Sequence, residues 1–462
     1  MAITVNNTQT LTLLNRIAGI TQAQTDSTTR MSTGYKINSA KDNPAGLIAL
    51  RTLDAEYTAV TAAIDNNQRT NAMLDVADGA LQEVSSLLTD IETLVASSVG
   101  DQVTDAERAA NQAQIDQAVD SIDRIIRTTE FAGKSLLNGQ LGIQVTESSG
   151  KAEDIRLYSR NPSSSSQNLS VSVTTASSAA TMSTTNSATG AMTYTVTGEL
   201  GSATIEISDT DDRAAEIAKI NAATSQTGVV ASASTGNGIV IKSNETGADQ
   251  FVTIDMISGG GAGGWSDTHV ENGADAVVTV NGQSAAADGN KITFSANGVS
   301  GSFTLTSTGD VDSETMTLAV SGGGATFQLG SDSSTRATLG LTAMFSHTLG
   351  KTGTGFVNEI KSGGSHQLSS TSTSALAIVK EAINDVAEAR GRIGGFQKYQ
   401  VQTSINSLQA TQQGVGNARS VINDVDYAVE TAELNRQNVL MAASMELLGI
   451  ANQQAGQVLN LL

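Results

Sequence analysis

The chain has 462 residues, with 46 Asp and Glu against 26 Lys and Arg, and no cysteine. The net charge of −20 disfavours nucleic acid as a partner, because phosphate binding needs a basic surface. The lack of cysteine excludes disulfides, thiolate catalysis and cysteine-based metal sites. With three His and 3% aromatic residues, we expect no enzyme, catalytic residue, metal or cofactor. The length allows about three domains.

The first residues, Met1 to Asn7, contain neither a basic segment nor a continuous apolar run. They therefore predict no cleaved secretory signal peptide. No apolar run in the chain reaches the ~20 residues that cross a bilayer, so we expect no membrane insertion. These rules alone predict a cytoplasmic protein, although a protein exported through a dedicated channel would have the same features.

Glycine divides the chain into three parts. It occurs nine times in residues 1–150, seven times in 366–462 and 28 times in 151–365. The outer parts are rich in Ala, Leu, Gln, Asn and Asp, which favour helices, whereas the middle is rich in Ser and Thr. We predict an α+β fold: a long antiparallel helical bundle or coiled coil formed by both chain ends, with an inserted Gly/Ser/Thr-rich, β-rich outer region.

The N-terminal part carries apolar residues at seven-residue spacing. The series comprises Leu53, Val60, Asn67, Leu74, Leu81, Leu88 and Val95. It predicts a coiled-coil-type helix of about 50 residues, in which a buried Asn67 could fix the register. After a break, Thr104 or Asp105 is expected to cap a second, antiparallel helix. That helix has an apolar stripe at Ile115, Val119, Ile122 and Ile126.

The C-terminal part repeats this pattern. One stripe comprises Leu376, Val379, Ile383, Val386 and Ile393, and another comprises Val401, Ile405, Leu408 and Val415. Gly394-Gly395 lies between the stripes and is expected to interrupt the helix. Three striped segments predict an antiparallel bundle built from both ends of the sequence. An ordinary helical domain with only intramolecular stripes fits the pattern equally well.

The two extreme ends are unusually apolar. The predicted self-association residues are Leu11, Leu14, Ile17, Ile20, Leu440, Leu447, Ala451, Val458 and Leu462. After Arg436 the only charged side chain is Glu446. A membrane-surface helix is the competing interpretation, but it would carry Lys or Arg on its polar face. Burial against copies of the same chain explains the pattern better.

The middle part is dominated by strand signals. The alternation around Ile143–Val145 and Ile155–Tyr158, with Ser148-Ser149-Gly150 between them, predicts a hairpin. Asp211-Asp212 is expected to cap a short helix over 214–222. Capping also explains these residues and Asp209 better than a calcium site does. Gly259, Gly261 and Gly264 match G-x-G-x-x-G, but the absence of a following helix predicts a loop.

Three blocks resemble conserved segments of bacterial flagellins. They are residues 32–47 (STGYKINSAKDNPAGL), 418–430 (ARSVINDVDYAVE) and 451–462 (ANQQAGQVLNLL). The resemblance implies a subunit of the flagellar filament whose outermost helices are disordered in the monomer and form a coiled coil in the filament core. The inner helices and one hairpin would then form a surrounding tube.

The resemblance also implies a domain division. It comprises an N-terminal core arm over 1–45, half of the tube domain with a hairpin over 46–179, an exposed insert over 180–365, the other half of the tube over 366–420, and a C-terminal core arm over 421–462. Residues 194–256 resemble an inserted domain of some flagellins and hook-associated proteins. The tube-packing residues would be Leu53, Val60, Leu74, Leu81, Leu88, Val95, Val401, Leu408 and Val415.

The implied partners are other copies of the chain, the flagellar export apparatus and a chaperone, the filament cap and hook-associated proteins. The implied location is extracellular, in the filament, reached without a cleaved signal peptide. An innate immune receptor binds some family members through a basic–x–basic–acidic–Leu stretch. Here the stretch runs from Asp90 to Leu94 with Glu92 at the second basic position. Receptor recognition is therefore not expected.

Three alternatives remain at this point. A hook–filament junction protein has termini that resemble those of flagellin, although the ending Val458–Leu462 and the full Asn38–Leu47 block favour flagellin. An enzyme displayed on the filament would need a motif such as H-E-x-x-H, which does not occur in the sequence. A sugar-binding or adhesive insert over 180–365 is a further possibility.

Overall fold

A computed structural model describes residues 8–98, 102–162, 166–184, 190–259, 269–368 and 373–460. The chain divides into two compact units. One unit comprises Met1–Asn66 and Thr403–Leu462, and the other comprises Asn67–Gln402. The expected domain boundaries near 45, 179, 365 and 420 stay predictions.

The described residues form long helices at both ends of the sequence and short ones in the middle. The α-helices are α1 (Thr8–Thr33), α2 (Pro44–Ser98), α3 (Asp105–Thr128), α4 (Arg213–Ala222), α5 (Thr224–Thr227), α6 (Thr373–Phe396), α7 (Gln402–Asn423) and α8 (Tyr427–Asn460). A 3-10 turn spans Val357–Ile360 and a π turn spans Gln397–Val401. Pro44 occupies the first position of α2, where its missing N–H costs no hydrogen bond.

In the first unit, the start of α2 packs against α7. Val60, Ala63, Ile64 and Leu408 form a small apolar core. Arg419 Nε lies 2.8 Å from the Asp54 carboxylate, which adds a polar contact to the same pair of helices. The apolar stripe predicted for α2 therefore begins to be buried at Val60, while Leu53 is half-buried.

In the second unit, α2, α3 and α6 bury matching stripes. The fully buried side chains include Leu74, Leu81, Leu88, Val95, Ile115, Val119, Ile122, Ile126, Val379, Val386 and Ile393. The predicted cap of α3 is confirmed: the Thr104 hydroxyl accepts from the Glu107 amide, and the Glu107 carboxylate accepts from the Thr104 amide. Arg390 Nε lies 2.8 Å from the Asp78 carboxylate and links α6 to α2.

The helix is not interrupted at Gly394-Gly395, so that prediction was wrong. α6 continues through both glycines, and the π turn then leads directly into α7. The buried residues are seven apart on each side, as in Val386 and Ile393, but eight apart from Ile393 to Val401. A π turn accommodates one extra residue, which keeps Ile393 and Val401 on the same face of the helix.

Asn67 is buried, as predicted, but its partner is not another helix. Its Nδ2 donates to the Leu329 carbonyl at 2.8 Å. This hydrogen bond ties α2 to the segment that follows a strand of the middle region. The side chain therefore positions a connecting segment on the helix.

Three aspartates on α3, which we call the carboxylate row, hold the segment that returns from the β region. They are Asp116, Asp120 and Asp123. Asp116 accepts from the Ser362 amide at 2.9 Å, and Asp120 lies 2.6 Å from Lys361 Nζ. Asp123 accepts from the amide and the hydroxyl of Ser346. These contacts fix the path of the chain before it enters α6.

The middle region is built from antiparallel strands. They are β1 (Glu130–Phe131), β2 (Lys134–Ser135), β3 (Ile143–Glu147), β4 (Ala152–Ser159), β5 (Gln167–Thr175), β6 (Thr181–Ser183), β7 (Met192–Gly198), β8 (Gly201–Ile207), β9 (Val229–Ala233), β10 (Ile239–Ser243), β11 (Phe251–Ser258), β12 (His269–Asn272), β13 (Val277–Val280), β14 (Gln283–Ser284), β15 (Ala286–Asp288), β16 (Lys291–Ala296), β17 (Val299–Leu305), β18 (Thr315–Gly323), β19 (Ala325–Gln328), β20 (Arg336–Leu339), β21 (Gly350–Lys351) and β22 (Gly355–Phe356).

The predicted hairpin of β3 with β4 was wrong. β3 pairs with β18, whereas β4 pairs with β17, and the two strands belong to different sheets. The turn between them is present, because the Glu147 carboxylate accepts from the Ser149 and Gly150 amides. A hairpin does form upstream, where β1 pairs with β2.

The strands enclose two separate cores. The first core lies between a sheet ordered β14-β13-β5-β18-β3 and a sheet ordered β15-β16-β17-β4. The second core involves β6 to β12 and α4, and includes Tyr194, Ile220 and Ile254. Asp212 caps α4, as predicted.

The chain passes between these cores at a narrow point, which we call the neck. Ser178 forms an antiparallel bridge with Ala274, with the Ser178 amide 2.8 Å from the Ala274 carbonyl. A Cβ on Gly273 would lie 2.5 Å from the Ser178 carbonyl oxygen, so only glycine fits there. The residues before and after the second core are therefore held side by side.

Candidate assembly surface

The two ends of the described chain pair with each other through α1 and α8. Arg30 Nη1 lies 3.6 Å from the Glu430 carboxylate. The Tyr427 hydroxyl donates to the Met31 carbonyl at 3.2 Å, and Gln24 Nε2 donates to Asn438 Oδ1. These contacts hold the C-terminal half of α1 against the first turns of α8.

The loop after α1 closes the same arrangement. α1 ends at Thr33 and is followed by Gly34, which has a left-handed φ of 76°. The Gly34 carbonyl accepts from the Val425 amide at 3.0 Å, and the Lys36 amide donates to Asn423 O at 2.5 Å. Asp42 folds the next turn: hydrogen bonds from the Ser39 hydroxyl and amide lower the pKa of its carboxyl. Residues 32–47 therefore form an ordered connection between α1 and α2.

The buried stripe of α8 is polar. Glu430, Gln437 and Ser444 lie seven residues apart and are each less than 10% exposed. On α1, the small polar Ser27 is 2% exposed. The pairing of the two helices thus buries polar and small side chains, whereas a typical heptad seam buries apolar ones.

The apolar side chains predicted for self-association lie largely on the outside. Leu11, Leu14, Leu440 and Leu447 are 62, 46, 40 and 53% exposed. Ile17, Ile20 and Ala451 are half-buried. The side chain of Val458 and the residue Leu462 lie outside the described part of the structure. The described leucines therefore remain available on the surface of this single chain.

Further exposed apolar side chains adjoin these leucines. Val439, Met445 and Ile450 are 69, 57 and 48% exposed; the sequence predicted that Met445 widens the apolar face, but it did not indicate Val439 or Ile450. The signal that would have found them is the seven-residue spacing of Glu430, Gln437 and Ser444. A polar stripe facing inward places the apolar residues of the same helix on the outward face.

A groove of about 460 Å³ opens between the start of α1 and the end of α8. It is lined by apolar side chains of both helices, including Leu13, Leu447 and Ile450, and by the polar Thr8, Thr12 and Arg16 of α1. An apolar groove between two surface helices is a typical site for a further helix. The groove and the exposed leucines define the candidate assembly surface.

The predicted tube-packing residues occupy interior positions, with one exception. Val60, Leu74, Leu81, Leu88, Val95, Val401, Leu408 and Val415 are buried. Leu53 is half-buried. In the receptor-type stretch, Asp90 is exposed and Leu94 is half-buried.

The polar motifs of the middle region have local structural roles. Asp209 accepts from the Ala191 amide, and Asp211 accepts from the Ser208 amide and pairs with Lys219. Only Asp212 caps α4. In the G-x-G-x-x-G stretch, Gly261 and Gly264 lie outside the described residues. In the described part of the chain, no group of His, Asp and Glu could hold a metal ion.

No helix within the described ranges is long and apolar enough to cross a membrane.

Comparison with known proteins identifies the family. The bacterial flagellin N-terminal helical region matches residues 5–141, and the bacterial flagellin C-terminal helical region matches residues 376–462. Polar flagellin F of Vibrio parahaemolyticus and flagellin B of Vibrio anguillarum are each 25% identical over 100% of both chains. Polar flagellin A of Vibrio parahaemolyticus is 37% identical over 31% of this chain and 39% of its own.

Solved structures of flagellar proteins are also similar, at a lower level. FliC from Burkholderia pseudomallei is 15% identical, with a TM-score of 0.24 over 72% of this chain and 99% of its own. Flagellar hook associated protein-3 from Legionella pneumophila is 10% identical, with a TM-score of 0.27 over 84% and 99%. These scores are too low to support a conclusion.

The matched terminal regions place the chain among the proteins that build helical filaments from identical subunits. The chain belongs to the bacterial flagellin family. It is a structural subunit of the flagellar filament, which lies outside the cell. Relatives named flagellin over the full length favour this assignment over the hook–filament junction alternative.

Proposed function

We propose that this chain polymerises by burying the assembly surface of α1 and α8 against neighbouring copies, and that these helices become fully ordered only then. The observation that carries the proposal is the exposure of Leu11, Leu14, Leu440 and Leu447 on a helix pair whose buried stripe is polar. Apolar surface of this kind is unfavourable in water and gains about 25 cal/mol for each Å² removed from it.

The coupling between ordering and assembly follows from the balance between the burial of apolar surface and the loss of conformational entropy. Fixing a residue costs about 1–2 kcal/mol of conformational entropy, and the polar seam between α1 and α8 offsets only part of that cost. A neighbouring subunit supplies the missing apolar contacts, so ordering is favourable mainly in the polymer. Contacts of this heterologous type do not close on themselves and extend into an open fibre.

The proposal includes the partners that filament growth requires. These are the export apparatus and a chaperone before assembly, and the filament cap and hook-associated proteins at its ends. The tube-packing residues would form the shell around the core helices, and residues 180–365 would face the medium. The 20 acidic against 10 basic residues in 151–365 are consistent with a solvated surface.

Removal of residues 440–462 tests the proposal. The truncated chain should remain folded and soluble but should not form filaments when mixed with sonicated filament fragments. Electron microscopy and sedimentation measure the filament mass, with the full-length chain as control. Filaments grown from the truncated chain would contradict the proposal.

A further inference from the structure

A second surface feature lies in the unit formed by residues 67–402. It is a groove of about 580 Å³ between β4, β20 and the end of α6. Its walls include Tyr158, Phe396 and Tyr399, three of the 15 aromatic residues of the chain. Phe396 packs against the buried Phe327, with ring centroids 5.5 Å apart, whereas Tyr399 is 67% exposed, so core packing explains the first ring but not the second.

The groove is also positively charged. Arg160, Arg336 and Arg392 line it, and none of its described lining residues is Asp or Glu. We call it the arginine groove. It contrasts with the chain as a whole, whose net charge is −20. A local positive site on an acidic protein attracts carboxylate groups, including those of other copies of the same protein.

The three arginines are held by different neighbours. The Arg392 guanidinium lies 3.9 Å from the centroid of the Tyr158 ring, and its Nη1 lies 3.0 Å from the Glu388 carboxylate. Arg160 Nε donates to the Gly323 carbonyl at 2.7 Å. Arg336 is exposed, and its Nε donates to the neutral Gln328 Oε1 at 3.2 Å. Of the three arginines, Arg336 can therefore bind an incoming carboxylate with the least disturbance of the fold.

The π turn contributes the outer wall of the groove. Tyr399 lies within it and is 67% exposed, and the Lys398 ammonium lies 5.2 Å from the centroid of its ring. π turns are rare and occur frequently at functional sites, because they change the direction of side chains without breaking the helix. The turn thus presents an aromatic ring and a further positive charge beside the three arginines.

We propose that the arginine groove receives a carboxylate-bearing segment of a second copy of this chain in the filament. This inference rests on the proposed function, since it needs polymerisation to occur. Charge complementarity selects the occupant, because every copy carries 46 acidic residues. Tyr and Arg are also the side chains that contribute most at protein interfaces, where a rigid ring and a planar guanidinium pack and donate together.

Seeded growth of full-length variants tests the inference. Arg336→Glu should reduce the elongation rate at least tenfold at low salt, and the ratio to wild type should approach one at high salt because repulsion is screened. Lys242→Glu is the matched control: it makes the same change in net charge at an exposed residue of β10 and should elongate like wild type. Circular dichroism checks that both variants are folded.

A photo-crosslinking residue in place of Tyr399 identifies the occupant. Irradiated filaments should give a dimer-sized product, absent from the monomer, with the link in a peptide containing Asp or Glu. Normal growth of Arg336→Glu at low salt would overturn the inference, as would filaments without an intermolecular link at this position. If the wild type itself does not elongate, the proposed function fails instead. Loss of heparin binding by Arg336→Glu with unchanged growth would assign the groove to an acidic sugar and likewise overturn it.

Discussion

Arg30 and Glu430 lie 400 positions apart in the sequence and 3.6 Å apart in the structure. The Glu430 side chain is only 10% exposed, whereas that of Arg30 is 36% exposed. The pair joins α1 to α8 at a point where the seam contains few apolar contacts. A charge at such a half-exposed position contributes more than a surface ion pair and less than a fully buried one.

We expect Arg30→Ala to destabilise the α1–α8 pairing by about 1–2 kcal/mol, because it leaves a nearly buried carboxylate without its cation. Hydrogen exchange of the α8 amides around residue 430, in assembled filaments where both helices are ordered, measures the effect. The double variant Arg30→Ala, Glu430→Gln should recover most of the loss, since an amide is less costly to bury than a carboxylate. Equal destabilisation in both variants would contradict the assignment.

Leu447→Asp should prevent filament growth at concentrations where the wild type elongates. Full burial of an exposed leucine is worth about 1.5–3 kcal/mol, and Leu447 is 53% exposed, so loss of its burial alone raises the critical concentration by about four- to fifteenfold. The buried carboxylate adds a further cost. Leu200→Asp is the control, because Leu200 is 66% exposed in the middle region and should tolerate the charge. Sedimentation after seeding measures both, and wild-type growth of Leu447→Asp would contradict the assembly surface.

Leu81→Ala should lower the free energy of unfolding by about 3 kcal/mol, because Leu81 is fully buried and its truncation leaves a cavity. Val76→Ala lies on the same helix at a site that is 41% exposed and should change stability by less than about 0.5 kcal/mol. Denaturant unfolding of the monomer measures both values. A similar loss in the two variants would show that α2 is not packed in this orientation.

Asp116, the first residue of the carboxylate row, should make the docking of the returning segment pH-dependent. Burial opposes ionisation of Asp116, but hydrogen bonds from the Ser362 hydroxyl and amide and from Gln112 lower its pKa below the ordinary 3.8. Because the folded-state pKa is the lower one, the stabilisation is complete above about pH 4 and is lost as the pH falls through the folded-state value.

Asp116→Asn should therefore weaken protection of the amides in 357–368 by about 1 kcal/mol at pH 6 and have less effect at pH 3. Hydrogen exchange corrected for the intrinsic rate at each pH measures the difference between variant and wild type. If Asp116→Asn loses the same amount of amide protection at both pH values, the Asp116 carboxylate is excluded as the cause.

The π turn gives a prediction about deletions. Removal of Gln400 should convert the turn into regular α-helix and leave stability within about 1 kcal/mol, because the buried residues on either side then follow a seven-residue spacing throughout. Removal of Ala387, an exposed residue in the middle of α6, should be far more disruptive since it rotates the following stripe by about 100°. Thermal unfolding compares the two. Equal losses would mean that the extra residue is not absorbed by the turn.

The helices were predictable because their pattern is local. Residues at seven-residue spacing from Val60 to Val95 share one face of any helix, so burial of that face follows from sequence alone. Thr104 and Asp212 also act on amides only a few residues away. The error at Gly394-Gly395 has the same origin: glycine lowers helix propensity by about 1 kcal/mol, and packing of Ile393 and Val401 outweighs it.

The strand pairings were not predictable in the same way. Alternation located β3 and β4, but the partner of β3 is β18 and the partner of β4 is β17, both more than 100 residues away along the chain. The Asn281-Gly282 turn joins β13 to β14 and the Asn297-Gly298 turn joins β16 to β17, and all four turn residues have positive φ, so these pairings are local. The arginine groove combines β4, β20 and α6, so no contiguous stretch of sequence indicates it.

The neck determines how residues 179–273 are joined to the rest of the molecule. The chain leaves the first β core at Ser178 and re-enters beside it at Ala274, and the Ala248 amide donates to the Asp275 carboxylate next to this bridge, so residues 179–273 are joined to the first core in one small region. A different domain, or a short turn, could occupy that place without altering the pairing of β5 with β13. Residues 179–273 can therefore be exchanged as a whole, while the two sheets of the first core keep their register.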